Sequence, residues 1–249
     1  MASVSRSDLR RVAARTWLLQ ATWNYERQQG LGWAWCLAPV LERLYADPGR
    51  RQQRLAEHTA FFNTQPTLAS LALGAVANLE EQQARAAEPA YDGVARVKMV
   101  LGSALAALGD RLLWFTLRPF AACLGVLFAL GGSWTGALAL WVCYNAVHLT
   151  LRARGVAWGY RLGPAVLGQG LRERLERLIS LLSEFGAALV GVVVAALLVP
   201  GGEPQSLTFQ VTLAGGLALG LVAAQHARPS PTHLALGAGG LCLVAAWFR

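Results

Sequence analysis

The stretch Thr22-Trp23-Asn24-Tyr25-Glu26-Arg27-Gln28-Gln29-Gly30-Leu31-Gly32 sets six consecutive hydrogen-bonding or charged side chains, Asn24 to Gln29, directly before a run, 30–41, in which nothing is charged. A soluble domain would carry such a cluster on a solvated loop. Here tryptophans and aliphatic residues crowd it on both sides, so the polar groups are expected to line a cavity, with Gly30 and Gly32 permitting close backbone approach.

The rest of the chain supports a membrane setting. Of 249 residues 55% are hydrophobic and only 14% charged, with a mean hydropathy of +0.39, too little charge for the surface of a soluble domain of this size. Uncharged runs occupy 59–79, 119–151, 185–202, 204–227 and 229–248; about 20 helical residues cross a bilayer core, so several can span. The run from Pro119 is too long for one span, about 50 Å as a helix, and Gly131-Gly132-Ser133 divides it. The net charge of +8 comes from arginines scattered at the ends of apolar segments without an aromatic-interleaved basic patch, which excludes nucleic acid as a main ligand and fits positive-inside bias. That bias places the N-terminus and the region 152–177 in the cytoplasm. Cys36, Cys123, Cys143 and Cys242 all sit in apolar runs without a CxxC pair, so neither a disulfide framework nor a metal site is expected, and no cofactor is implied. No signal-peptide core precedes Trp17.

Taken in order, 5–20 reads as a basic amphipathic helix on the cytoplasmic surface, capped by Ser5 or Ser7. Asp47-Pro48 starts a solvated or interfacial helix over 49–59, and its His58 lacks a second ligand at metal spacing. Phe61-Phe62-Asn63-Thr64-Gln65-Pro66 repeats the opening pattern, amides and a hydroxyl between aromatics at the head of an apolar run broken by proline. That run ends at Asn78-Leu79-Glu80-Glu81-Gln82-Gln83, where Asn78 and Gln82 share a face and the two carboxylates read as a solvated helix end. Asp110 is placed to cap a helix starting at Arg111. Arg152, Arg154 and Arg161 read as a cytoplasmic loop, Gly163-Pro164 as a boundary, and Leu171, Leu175, Leu178 and Leu182 as the apolar stripe of a helix that continues into the membrane. The last apolar segments, with a GxxxG at Gly216 to Gly220, read as packing helices.

Nothing in this pattern assembles a nucleophile and base: there is no GxSxG, and the four histidines lie far apart. Ionisable groups inside broken apolar segments point instead to a transported substrate held between discontinuous helices. For a sugar, Glu26, Asn24, Gln28, Asn63 and Gln82 offer hydroxyl partners, and Trp23, Tyr25, Trp33 and Phe62 offer aromatic faces. The bland alternative is that these residues only bond neighbouring helices or a partner subunit.

Trp23 to Gly32, Phe61 to Pro66, Glu80-Glu81-Gln82, Gly109-Asp110 with Trp114 and Thr116-Leu117-Arg118-Pro119, and Asn145-Ala146-Val147 together resemble the IID component of the mannose/fructose/sorbose family of bacterial phosphotransferase systems, from about Thr16 to Gly163. The resemblance implies an all-α integral membrane protein, a multi-helix bundle with broken and re-entrant helical hairpins and an N-terminal amphipathic helix. It implies a multi-pass subunit of the bacterial cytoplasmic membrane that forms with a IIC subunit the path for a hexose of the mannose, fructose, sorbose or N-acetylhexosamine class. Cytoplasmic IIA and IIB proteins carry the phosphate, so the chain itself is a transport subunit and not an enzyme, within a hetero-oligomer. Carried over by position, Glu26 and Asn63 come first as sugar contacts, then Asp110, Arg118 and Gln82, with Asn24, Gln28 and Trp23 beside them. Two positions depart from the family pattern, Arg111 where proline is usual and Gln65 where histidine is usual. They motivate the alternative of a non-transporting regulatory or scaffold subunit that docks the cytoplasmic components. The expected organisation is 1–21 as the N-terminal helix, 22–163 as the signature core, and 164–249 as an amphipathic linker helix followed by membrane helices.

Overall fold

The computed structural model describes residues 3–87 and 91–198, with the isolated positions 211, 215 and 218. Within them the chain is helical and carries no named strand: α1 (Arg6–Arg15), α2 (Gly30–Leu44), α3 (Pro48–His58), α4 (Ala69–Arg85), α5 (Tyr91–Gly109), α6 (Arg118–Leu130), α7 (Thr135–Leu162) and α8 (Gln169–Leu198). The GxxxG at Gly216 to Gly220, Cys242 and the apolar segments beyond residue 198 lie outside the described residues.

α4 is the centre. Twelve of its residues, from Ala69 to Glu81, are buried, and α7, α2 and α5 pack around it. The seam with α7 is drawn tight by small residues: a side chain at Gly155 would meet Ser70, one at Gly159 the Leu71 carbonyl, and one at Gly74 the Val156 carbonyl. Backbones can therefore approach along a Gly155-Val156-Ala157-Trp158-Gly159 stripe. Thr67 Oγ1 to His148 Nδ1 (2.8 Å) and Ser70 Oγ to the Leu151 carbonyl (3.1 Å) add polar ties across the same seam. The uncharged run 59–79 is thus not one membrane helix. Its first ten residues are mostly turn and extended chain, and the helix that follows is encased by protein.

Among the described residues two helical paths are long and apolar enough to cross a bilayer, Tyr91–Leu130 and Gly170–Val194. The first corrects the expectation of a new helix capped by Asp110. The chain runs on from α5 through a π-helical segment, Asp110–Leu117, into α6, and the Arg118 N–H donates to the carbonyl of Leu113, five residues back. The wide turn precedes Pro119, which has no N–H to return to the preceding turn. α6 and α7 form a hairpin at Gly131-Gly132, where Gly132 takes φ +75° and the Ser133 N–H closes on the Phe128 carbonyl at 3.1 Å, a left-handed helix ending that glycine allows. The hairpin presents Phe128, Leu130, Trp134, Leu138 and Trp141 outward, an apolar surface suited to lipid.

Four further expectations are corrected. Arg152, Arg154 and Arg161 lie within α7, not in a loop: no proline interrupts 135–162, and charge alone does not end a helix. α1 does not simply lie on a surface. Its Val12 and Asp8 are buried, and Asp8, held below the usual carboxylate range against its burial by Ser5 and Arg43, pairs with Arg43 of α2 at 3.1 Å. α1 also docks through a defect in α2. Pro39 donates nothing to the carbonyl of Trp35, four residues earlier, and Arg15 Nη1 donates to that carbonyl at 2.6 Å while its guanidinium stacks on the Trp35 ring, 4.9 Å from the centroid. α3 is not solvated throughout, since Arg54 and His58 are each 3% exposed. What they reach explains the fourth correction, the burial of Glu80 and Glu81, which the sequence read as a solvated helix end.

Candidate functional site

Residues 19–29 and 59–68, the connections before α2 and α4, are joined backbone to backbone. The Asn24 and Gln28 main chains exchange hydrogen bonds (3.3 and 2.8 Å), the Gln29 N–H donates to the Phe62 carbonyl (2.8 Å), and the Phe62 N–H to the Arg27 carbonyl (3.3 Å). Gln28 adopts φ +53°, a left-handed conformation uncommon for a residue other than glycine, which the five-residue turn demands. Asn24 builds that turn: its Oδ1 accepts from the Glu26 and Arg27 N–H groups (3.1 and 2.8 Å) and its Nδ2 donates to the Thr22 carbonyl (3.2 Å). This is an Asx-type turn in which the side chain replaces backbone partners.

Gln29 is the buried rivet. Its Nε2 donates to the Thr64 carbonyl at 2.7 Å, and its Oε1 accepts from the Thr64 N–H at 3.1 Å. Gln65 then closes the turn that leads into α4, its Oε1 accepting from the Thr67 and Leu68 N–H groups (2.7 and 3.1 Å). Gly30 closes the joint as its sequence setting suggested, because a Cβ there would lie 2.5 Å from the Ala60 carbonyl oxygen, and one at Gly32 would strike the Leu19 carbonyl. Phe62 is buried and packs on Trp33 with ring centroids 4.1 Å apart.

With the backbone engaged inward, the alternate side chains face out. Glu26 has its side chain 83% exposed, with Arg27 Nε at 3.8 Å, and Asn63 and Phe61 are exposed on the second connection. Among the described residues the Asn63 amide makes no hydrogen bond. Trp23 and Tyr25 meet edge to face at 4.9 Å. The start of the π-helical segment backs onto the same place: a Cβ at Gly109 would lie 2.5 Å from Gln65 Cβ, and one at Gly102 would lie 3.4 Å from the Asn63 carbonyl oxygen. The structure thus gathers Glu26, Asn63, Asn24, Gln28 and Trp23, with the half-buried Asp110 at the edge of the same region.

It does not gather the other two. Gln82 lies about 20 Å along α4 from Ala69 and donates to Asn78 Oδ1 at 2.6 Å, the shared face expected from the sequence but at the far end of the helix. Arg118 is exposed beyond the π-helical segment, its guanidinium 5.2 Å from the Trp114 ring centroid.

Sequence reasoning missed the groups that hold this arrangement from below. Glu80, fully buried, accepts from Tyr45 Oη (2.8 Å) and from Arg54, whose Nε lies 3.3 Å away, and faces His58 Nε2 at 3.0 Å. Arg54 also pairs with Glu57. Trp33 Nε1, a donor only, reaches His58 Nδ1 at 3.4 Å, so Nδ1 accepts and the neutral imidazole donates from Nε2 to Glu80. Burial depresses the His58 pKa although Glu80 works the other way. Burial works to raise that of Glu80, but the His58 and Arg54 hydrogen bonds hold it down to about 2. Lys98 of α5, 4% exposed, donates to the carbonyls of His58 (2.9 Å) and Ala60 (3.4 Å) and sits over the Trp33 and Phe62 rings, 5.4 and 5.5 Å from their centroids. It fixes the chain immediately before Phe62 and Asn63. Glu81 turns to the other side of α4, to Tyr160 and Arg85. The available signal was Arg54 and His58 at i, i+4, one helix face whose opposite number was the carboxylate pair already noticed at 80 and 81.

Chemically, the site offers a carboxylate, amides and aromatic edges on a braced backbone, without a nucleophile and base in reach of each other. His58 and His148 are both occupied within the fold. Among the described residues no group of His, Cys, Asp and Glu could hold a metal ion.

The chain matches the family model of the PTS system mannose/fructose/sorbose family IID component over residues 3–201. The mannose-specific EIID component of Escherichia coli (strain K12) is 37% identical over 200 residues, covering 79% of this chain and 68% of that protein. The sorbose-specific EIID component of Klebsiella pneumoniae is 30% identical over 261 residues, covering 97% and 95%. Among solved structures, a chain of the mannose transporter ManYZ in complex with microcin E492 aligns over 99% of this chain and 98% of its own length, with a TM-score of 0.62 at 29% identity. A second membrane protein aligns over 98% of each chain with a TM-score of 0.70 at 28% identity. The fold and the five sequence motifs therefore have one owner: the chain belongs to the IID components of the mannose/fructose/sorbose family of phosphotransferase systems, and it is a membrane subunit of a sugar-transport complex.

Proposed function

We propose that this chain forms, with a IIC subunit, the translocation path for a hexose of the mannose, fructose, sorbose or N-acetylhexosamine class in the bacterial cytoplasmic membrane, and that Glu26 and Asn63 contact the sugar. The observation that carries the reading is the contrast within one joint: the backbones of 24–29 and 61–65 are tied to each other, whereas the Glu26 carboxylate and Asn63 amide, one on each connection, are exposed without a hydrogen-bonding partner in the described fold. A carboxylate and an amide are the groups that pair with adjacent sugar hydroxyls, and a braced backbone limits the ordering cost of binding. Asn24 and Gln28 then shape the loop, Trp23 borders it, and Asp110 stands at its rim. Gln82 and Arg118 face other parts of the assembly. The surface is open on one side, as half of a site completed by a second subunit would be. Phosphate reaches the sugar from cytoplasmic IIA and IIB proteins.

The test is phosphoenolpyruvate-dependent hexose uptake in cells carrying the chain with its IIC, IIA and IIB partners. Glu26→Gln and Asn63→Ala are each expected to reduce uptake at least tenfold, about 1.4 kcal/mol of lost sugar contact, with the membrane complex still assembled. Normal uptake in both variants would exclude the assignment.

A further inference from the structure

A groove of about 300 Å³ opens between the C-terminal half of α5, the turn 163–167 and the start of α8. Its floor is apolar, formed by Leu105, Leu108, Val166, Leu171 and Leu175, and its rim carries Arg111, Arg172 and Glu176. The helices on either side belong to the two paths long and apolar enough to cross the bilayer, so the floor opens toward lipid.

The rim is unbalanced. Arg111 Nη1 and Arg172 Nε reach the same oxygen, Glu176 Oε1, at 3.5 and 3.6 Å, with their side chains 54% and 68% exposed. Two guanidiniums share one carboxylate, which leaves a net positive charge. Each fork has five N–H donors in a geometry that matches phosphate, and a single contact above 3.4 Å engages little of that capacity. The remaining donors stand where an apolar groove meets the polar boundary, and basic pockets between membrane helices are suited to anionic headgroups.

We propose that this groove is a binding site for an anionic phospholipid, with an acyl chain along the Leu105–Leu175 floor and its phosphate on Arg111 and Arg172. The charge selects the occupant: a zwitterionic lipid would bring a cationic headgroup to a rim that is already positive, and free phosphate would make no use of the floor. The lipid would tie the π-helical turn at Arg111 to the start of α8. This site is separate from the joint at Glu26 and Asn63, so its failure would leave the transport reading standing.

The test is native mass spectrometry of the full chain, purified in detergent and delipidated, with equal amounts of phosphatidylglycerol and phosphatidylcholine of identical acyl chains. Preferential retention of phosphatidylglycerol is expected. Arg111→Gln and Arg172→Gln should each weaken it roughly fivefold, and the double variant should lose the preference while keeping its helical circular dichroism. Leu171→Trp, which fills the floor, should reduce retention of both lipids, and inorganic phosphate alone should not raise the melting temperature. Equal retention of the two lipids by the unmodified chain would overturn the proposal. So would a preference unchanged in the double variant, the result expected if residues 199–249 or a partner subunit fill the groove.

Discussion

Two polar clusters adjoin at the end of α3 and are built on opposite terms. Around Glu80 every charged group meets a partner inside the protein: Tyr45, Arg54 and His58 converge on one carboxylate, and Trp33 completes the imidazole. Across the joint of 24–29 with 61–65, the main chain is equally well bonded, but Glu26 and Asn63 are left over. The first cluster spends its polarity on shape and the second presents it outward. Lys98 links them, since it binds the carbonyls of His58 and Ala60 on the way from one to the other. Closed networks of this kind are costly to disturb and carry no ligand, whereas open ones are cheap to disturb and can carry one. This difference can be broken experimentally in four places.

The largest effect is expected at Glu80. Glu80→Ala leaves the buried Arg54 with only the half-exposed Glu57 as a carboxylate partner, and removing one partner of a buried ion pair costs about 3–5 kcal/mol. Thermal unfolding of the detergent-solubilised complex should show a large drop in melting temperature, or the variant should fail to accumulate. A midpoint near that of the unaltered chain would show that water reaches Arg54 and that the cluster is not closed.

Gln29→Ala comes next. It removes both hydrogen bonds to Thr64 and leaves a buried N–H and carbonyl without partners, each costing about 1–3 kcal/mol. Uptake should fall along with stability, because the joint that aligns Glu26 with Asn63 loosens. Full uptake despite a lowered midpoint would detach the site from the rivet.

The distribution of what was legible follows the same division. The joint could be read from sequence because its signals are local: Gly30 marks a close approach, Pro66 breaks a run, and six polar residues stand together among tryptophans. The network could not, since Arg54 and Glu80 lie on helices apart in the chain, and each alone looks like an ordinary solvated charge. The same limit explains the α7 arginines. Arg152 reads as loop because of its charge, yet it donates to the Thr16 carbonyl and stacks over Trp17, 4.9 Å from the centroid, partners more than a hundred residues away. The Asp110 break was misread for a different reason. Helix-capping residues report what a chain can do at a point, and the π-helical turn supplied another way to absorb Pro119. Along α4, apolar composition suggested a membrane span, but composition cannot tell a helix buried in lipid from one buried in protein.

A smaller and more selective effect is expected from pH. α3 and the Glu80 end of α4 lie outside the two spanning paths. His58 is held neutral, with its folded pKa below the ordinary 6.5, so the unfolded chain takes up a proton first and stability should fall as pH drops below about 6.5 toward the folded value. Glu80, depressed from 4.5 to about 2, contributes stability that is present above 4.5 and lost only as pH falls toward 2. Melting temperatures measured from pH 8 to 5 should therefore decline through the His58 window and not through that of Glu80, and His58→Gln should reduce that decline. An equal decline in the variant would assign the titration to another group.

The smallest change in stability belongs to Asn63→Ala and Glu26→Gln, and there the contrast is sharpest. Both side chains are exposed, and neither has a close hydrogen bond to lose, so each variant should melt within about 0.5 kcal/mol of the unaltered complex. The response to sugar should nevertheless differ. A ligand bound only to the folded state stabilises it by about 2.7 kcal/mol at a concentration of 100 Kd, so the transported hexose should raise the midpoint of the unaltered complex and leave those of the variants nearly unmoved. If the hexose protects all three equally, the exposed carboxylate and amide are surface groups and the sugar is held elsewhere. If the variants lose stability before any sugar is added, Glu26 and Asn63 belong to a closed joint with a partner subunit, and the openness that distinguishes them from Glu80 is a property of the isolated chain.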